Sequence, residues 1–197
     1  MAVTAAQVKE LRAATSAPML DCKRALETHD GDMDKAIDWL REKGLSKVAK
    51  KVNRAAKEGV VDAYIHHGNR VGVIVEVNCE TDFVARLDDF RAFVHDLLLH
   101  IAMANPSYLT RADVPEDVLE KEKAVYAQQA REEGKPPEIA EKIAAGRLVK
   151  FYEESCLLQQ RFIKDEDLSV QDLINNTIAK VGENIVVRRF DRYELGG

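Results

Sequence analysis

The residues of this chain that could do chemistry are few. They are three cysteines (Cys22, Cys79 and Cys156), the pair His66-His67, and the segment Asn78-Cys79-Glu80-Thr81-Asp82-Phe83-Val84-Ala85-Arg86. Cys79 could in principle pair with a histidine as a nucleophile. A free cysteine at the end of a strand is more often a small core residue. His66 and His67 have no third ligand at metal-binding spacing. No Gly-x-x-x-x-Gly-Lys-Ser/Thr loop is present to cradle a phosphate. No Ser, His and acid constellation carries a local motif either. The residue types therefore point away from an enzyme, and no metal or cofactor is expected. Thr81 and Asp82 suit helix caps. Phe83 and Val84 are harder to place, because the apolar stripe that follows begins only at Leu87 and Phe90. Phe83 either folds back onto the next helix or is an aromatic anchor presented to a partner, framed by polar neighbours.

The elements that must position this segment can be read from periodicity. The first 45 residues predict three short helices. The first carries Val8 and Leu11. The second runs from about Met19 to Thr28 with Leu20, Ala25 and Leu26. The third is capped by Asp30-Gly31-Asp32 and carries Ala36, Ile37 and Leu40. Gly44 is expected to end the third helix, and Trp39 to sit in or beside the small core. Met19-Leu20, just after Ser16-Ala17-Pro18, reads as an apolar staple or as an exposed contact loop, the staple being preferred. Residues 46–57 hold Lys47, Lys50, Lys51, Arg54 and Lys57 and read as a basic helical linker with a solvated face.

Residues 58–197 read as an α+β core. Val61, Ala63 and Ile65, then Val71, Val73, Val75 and Val77, alternate as strands around a turn at His66-His67-Gly68-Asn69. A core helix spans about Leu87 to Met103 and stops at Asn105-Pro106. A helical hairpin at about 115–154 starts near Asp113-Val114-Pro115-Glu116. Its thin stripes (Leu119 and Tyr126, Ile139 and Ile143) predict a short projecting coiled coil. Cys156 to Ile163 is expected to be extended. Ser169 caps a helix that Gly182 ends, and Ile185 to Phe190 forms a last strand. Strands on either side of a helical block argue an antiparallel sheet.

Composition narrows the function class. The chain has 197 residues, 46% of them hydrophobic and 32% charged, with a net charge of −5. That balance allows a buried core and offers no bulk attraction to nucleic acid. No apolar run approaches the roughly 20 residues of a spanning helix, and the N-terminus lacks a signal-peptide stretch. Three widely spaced cysteines fit a reducing compartment. A cytoplasmic protein with no membrane contact and no direct nucleic-acid contact is expected.

Val77-Asn78-Cys79-Glu80-Thr81-Asp82-Phe83-Val84 resembles the most diagnostic motif of the elongation factor Ts family. Leu11-Arg12 through Thr15, then Met19, then Asp21-Cys22-Lys23-Arg24-Ala25-Leu26, provides a second match. Gly31-Asp32, Ala36-Ile37, Gly182-Glu183-Asn184-Ile185 and Arg188-Arg189-Phe190 follow in the family's order. Pro18 and Arg161 depart from the family's usual residues. The resemblance implies a short-form member with a ubiquitin-associated-like N-terminal domain (1–45) and one core module. It also implies a guanine-nucleotide exchange role toward elongation factor Tu. Thr81, Asp82, Phe83 and Val84 would enter the partner's GTP-binding domain, with His66 or His67 of the hairpin turn alongside. Met19 and Lys23 would meet the same partner from the N-terminal domain. Longer members carry a duplicated core half, so a single half with open strand edges implies a homodimer. The rival reading is a non-catalytic adaptor whose three-helix module binds a peptide or ubiquitin-like partner.

Overall fold

The computed structural model describes residues 3–15 and 17–196; the side chains of Ala13 and of residues 45–47 are also not described, and Ser16 of the expected staple loop falls outside the described residues. The fold is α+β. In chain order it runs α1 (Ala5–Thr15), α2 (Met19–Thr28), α3 (Met33–Ala49), β1 (Glu58–Ile65), β2 (Val71–Cys79), α4 (Asp82–Ala85), α5 (Asp88–Ala104), α6 (Glu116–Glu132), α7 (Pro137–Ser155), β3 (Arg161–Phe162), β4 (Asp165–Ser169), α8 (Val170–Val181) and β5 (Ile185–Glu194). The antiparallel sheet has the order β1-β2-β5, and β3-β4 is a separate two-stranded ribbon. The chain forms two compact units. One comprises residues 1–59, 78–91 and 174–186, the other residues 60–77, 92–173 and 187–197.

In the first unit, α1, α2 and α3 enclose Val8, Leu11, Cys22, Ala25, Leu26, Ala36 and Leu40, with Ile37 and Trp39 packed against them. Capping starts these helices. Thr4 and Gln7 exchange side-chain-to-backbone bonds at the head of α1, and Asp32 Oδ1 accepts from the Lys35 N–H at the head of α3. Gly31, at φ 83°, allows its N–H to reach the Leu26 carbonyl at 2.8 Å and close the α2–α3 turn. Lys43 joins α3 to α2 through Asp21 (2.9 Å) and lies 4.6 Å from the centre of the Trp39 ring. Gly44 does not end α3, contrary to expectation. The helix continues to Ala49 because Val48 is buried, and that contact offsets the helical cost of one glycine.

In the second unit, Val73, Val75 and Val77 of β2 are buried while Ile74 is exposed, the alternation of a sheet with one covered face. Helix α5 contributes Phe93, Val94, Leu97, Leu98 and Ile101 to the buried set. It is tied to the sheet by Arg192 Nε donating to the Ala102 carbonyl (3.3 Å) and by Tyr64 lying edge-on to His95. Asn105, at φ 47°, ends α5 where Asn-Pro predicted a stop. The α6–α7 hairpin differs in its seam. Ala127, Ala130, Ala140 and Ala144 are the buried contacts, whereas Ile139 is exposed and Leu119, Tyr126 and Ile143 are half-buried. Small side chains let the two backbones approach, and Arg147 clamps the pair through Gln129 (2.8 Å) and Glu133 (3.1 Å). A capping box lies just upstream of the hairpin. It joins Thr110 and Asp113 around a short 3₁₀ turn, and α6 starts after Pro115. Residues 157–159 form another 3₁₀ turn where an extended segment was expected, and the strand is confined to Arg161–Phe162. Ser169 caps α8 with Asp172 as anticipated.

His100 is fully buried on α5. The Ile163 N–H donates to its Nδ1 (3.3 Å), so the ring proton sits on Nε2, which donates to Gln160 Oε1 at 2.9 Å. Gln160 Nε2 in turn donates to the carbonyls of Glu154 and Ala104. Burial holds the His100 pKa below its ordinary 6.5, with the Gln160 bond opposing. The folded state therefore binds fewer protons than the unfolded chain between the lowered pKa and 6.5. Stability should fall as pH drops through that window and level off below it. Thermal melts from pH 8 to pH 5 should show this decline. His100→Gln should remove most of the pH dependence, at a cost of about 1–3 kcal/mol at neutral pH from unpaired buried groups.

Candidate functional site

The Thr81-Asp82-Phe83-Val84 segment leaves β2 at Cys79 and forms the single turn α4. Thr81 is extended (φ −130°, ψ 154°), and its Oγ1 accepts from the Val84 N–H at 3.4 Å. The turn separates its side chains sharply. Val84 and Ala85 are buried (3% and 5% exposed), whereas Phe83 is 71% exposed. Phe83 therefore does not fold back onto the following helix. Val84 departs from its expected role as a contact residue. Its side chain faces inward and anchors the turn that presents Phe83. Asp82 is exposed and paired with Arg86 one turn on (2.6 Å).

A polar frame surrounds this turn. Glu183 receives both the Thr81 N–H (3.0 Å) and the Thr81 hydroxyl (2.7 Å) on its two carboxylate oxygens. Glu80 Oε1 accepts from the Asn184 N–H at 2.6 Å. The Asn184 side chain is almost completely buried and donates to the carbonyls of Val52 and Arg54 (3.2 and 2.9 Å). Gly182-Glu183-Asn184 was visible in the sequence as a motif, but the pairing of residues about a hundred positions apart was not. Cys79 is buried beneath the turn, and its thiol donates to the Thr81 carbonyl at 3.1 Å. Burial, then the charge of Glu183, pushes this thiol up to about 11. A nucleophilic cysteine needs the opposite shift, so Cys79 reads as a core residue.

The other expected contact residues sit elsewhere. Met19 and Leu20 are exposed rather than stapled, because the core face of α2 is Cys22, Ala25 and Leu26. Leu20 lies on the solvent side of the helix and Met19 at its open end. Lys23 is exposed beside them, with Glu27 at 3.6 Å. In the second unit, His66 accepts the turn-closing bond from the Asn69 N–H, and its Nδ1 lies 3.0 Å from the Tyr64 hydroxyl. His66 is half-buried and held, whereas His67 is exposed. Among the described residues no three of His, Cys, Asp or Glu cluster as a metal site, and no helix is long and apolar enough to cross a membrane.

The site is thus a capped turn at the end of a β-hairpin strand, offering one aromatic side chain on an α+β frame. Residues 2–177 match the family model described as Elongation factor TS. The chain is 59% identical to the elongation factor Ts of Moorella thermoacetica, over 98% of this chain and 96% of that one. It is 58% identical to that of Thermoanaerobacter sp. (98% and 95% covered) and 57% identical to that of Caldanaerobacter subterraneus subsp. tengcongensis (98% and 97%). The chain belongs to the elongation factor Ts family, and with it to the factors of translation elongation.

The contrast between Phe83 and Val84 has a direct test in urea titrations. Val84→Ala should lose about 1–3 kcal/mol of stability, from the lost methyl burial and the cavity left behind. Phe83→Ala should stay within about 0.5 kcal/mol of wild type, as substitutions at exposed sites do.

Proposed function

We propose that this chain binds elongation factor Tu in its GDP form and speeds GDP release, so that GTP can follow. The observation that carries this reading is the exposure of Phe83 on a turn held by Thr81. A large apolar side chain held in solvent on a firm mount is suited to insertion between elements of a partner. A GTPase holds GDP through a phosphate loop and a Mg²⁺ bridging phosphate oxygens. That ion demands near-octahedral geometry, and packed elements around such a site switch between discrete arrangements. A wedge that displaces those elements weakens both contacts without a catalytic side chain of its own. Asp82 lies beside the wedge, and the Met19, Leu20 and Lys23 surface supplies docking area. At the hairpin turn, His67 is the histidine more open to a partner and His66 the more constrained. Such a factor acts in the cytoplasm.

The decisive experiment is release of labelled GDP from purified elongation factor Tu. Wild-type chain should accelerate it, and binding without acceleration would favour the adaptor reading. Phe83→Ala should slow release at saturating factor by roughly 30-fold, the equivalent of the ~2 kcal/mol typical of truncated aromatic anchors. Reciprocity adds a sign. If the factor weakens GDP binding, excess GDP with Mg²⁺ must weaken factor binding by the same ratio. Phe83→Ala should reduce that antagonism. A folded Phe83→Ala chain with wild-type release would sink the wedge.

We also propose a homodimer, formed through the uncovered face of the sheet. Ile65 and Ile74 are exposed there, and Ile65 lies across Gly72. A groove of about 380 Å³ continues this surface past Ile65 and Gly72 to Tyr193 and Leu195. An apolar sheet face of this kind invites a second layer. Sedimentation at roughly tens of micromolar should give twice the protomer mass, unchanged by reducing agent, because dimer fraction follows concentration. Ile65→Asp combined with Ile74→Asp should give the single protomer.

A further inference from the structure

We infer that Glu183 is the positioning residue for Phe83, acting through Thr81, and that Asn184 extends the same frame to the segment following the N-terminal helices. The inference rests on the reading of Phe83 as the exchange wedge. Phe83 has little of its own side chain buried, so it cannot hold its pose by packing. Two anchors hold the turn instead. From below there is Val84, buried at 3% exposure. From the side there is the Glu183 carboxylate, which takes the Thr81 N–H on one oxygen and the Thr81 hydroxyl on the other (3.0 and 2.7 Å).

This arrangement frees Thr81 for a second task. Its hydroxyl proton is given to Glu183, so an Oγ1 lone pair is directed to the Val84 N–H, and the cap of α4 is oriented by the carboxylate. Both bonds to Glu183 have an ionised acceptor, which makes them stronger than neutral ones. Their geometry is set by Gly182, whose φ of +87° turns the chain out of α8 and directly into Glu183. An L side chain at that φ is strained. Next in sequence, Asn184 gives its backbone N–H to Glu80 (2.6 Å) and its side-chain amide to the Val52 and Arg54 carbonyls. Arg54 also approaches Glu80, at 3.6 Å. Three consecutive residues thus hold both the wedge turn and the segment leaving the three-helix bundle. Two surfaces proposed to meet one partner are referred to the same short piece of backbone.

The test compares Glu183→Ala and Glu183→Gln with wild type in two independent readouts. Amide hydrogen exchange, with no partner present, should show faster exchange at Thr81 and Val84 in Glu183→Ala, while the amides of α2, α3 and the buried stretch of α5 keep wild-type protection. Glu183→Gln retains one acceptor oxygen and should fall between the two. In GDP release, Glu183→Ala should lower the rate at saturating factor by roughly tenfold or more, because both charge-assisted bonds to Thr81 are lost while Val84 still anchors the turn. The half-saturating concentration should move less than about twofold, because the α2 surface still docks. Glu183→Ala combined with Phe83→Ala should be no slower than Phe83→Ala alone, a non-additivity that general destabilisation does not produce. Unchanged exchange at Thr81 and Val84 overturns the positioning role. So does additive loss in the double variant, or unfolding of both Glu183 variants, which would make Glu183 a general stability residue. If wild-type chain fails to release GDP while the exchange result holds, the wedge reading fails and Glu183 remains the residue that orders the turn.

Discussion

The contact on which this structure depends is the meeting of Glu80-Thr81 with Glu183-Asn184. Two carboxylates and two backbone carbonyls, those of Val52 and Arg54, accept from five donor groups: the N–H groups of Thr81 and Asn184, the Thr81 hydroxyl, and both N–H bonds of the buried Asn184 side-chain amide. A buried amide without partners is costly, whereas a fully paired network fixes one geometry. Everything proposed about Phe83 presupposes that geometry. An exposed aromatic on a loose loop would lose conformational freedom on binding and give up part of the energy needed to distort a partner.

The split between Phe83 and Val84 shows how a four-residue helix can do this. One turn directs neighbouring side chains about 100° apart, so one can be core while the next faces solvent. The buried neighbour gives the exposed one its rigidity. Cys79 belongs to the same foundation. Its thiol is buried, protonated and bonded to the Thr81 carbonyl, and it contributes packing and one weak hydrogen bond.

Elsewhere the chain balances exposure against support by similar means. The α6–α7 pair packs through alanines, which bury little area each but allow close backbone approach, and Arg147 adds directional bonds across the pair. His100 and Gln160 place a polar pair in the buried part of the second unit, with every ring nitrogen engaged.

Much of this was legible in the sequence. Period-two alternation marked Val71 to Val77, the apolar stripe from Phe90 to Ile101 marked α5, and Ser169 and Gly182 marked the ends of α8, because these signals come from residues within about four positions of one another. The motif around Thr81 marked the candidate site that the proposed function rests on. The sequence left Phe83 poised between core and surface and favoured a staple at Met19-Leu20. Both were settled by which face of each turn found a buried neighbour. The end of α3 was decided by burial of Val48 against a local glycine signal. The Glu183–Thr81 bonds could not be read at all, since residues 102 positions apart are neighbours only once β2, α8 and β5 have been brought together. Local spacing determines which elements form. The pairing of distant polar groups, and hence the pose of the one aromatic on which the proposed function turns, is decided only by the tertiary fold.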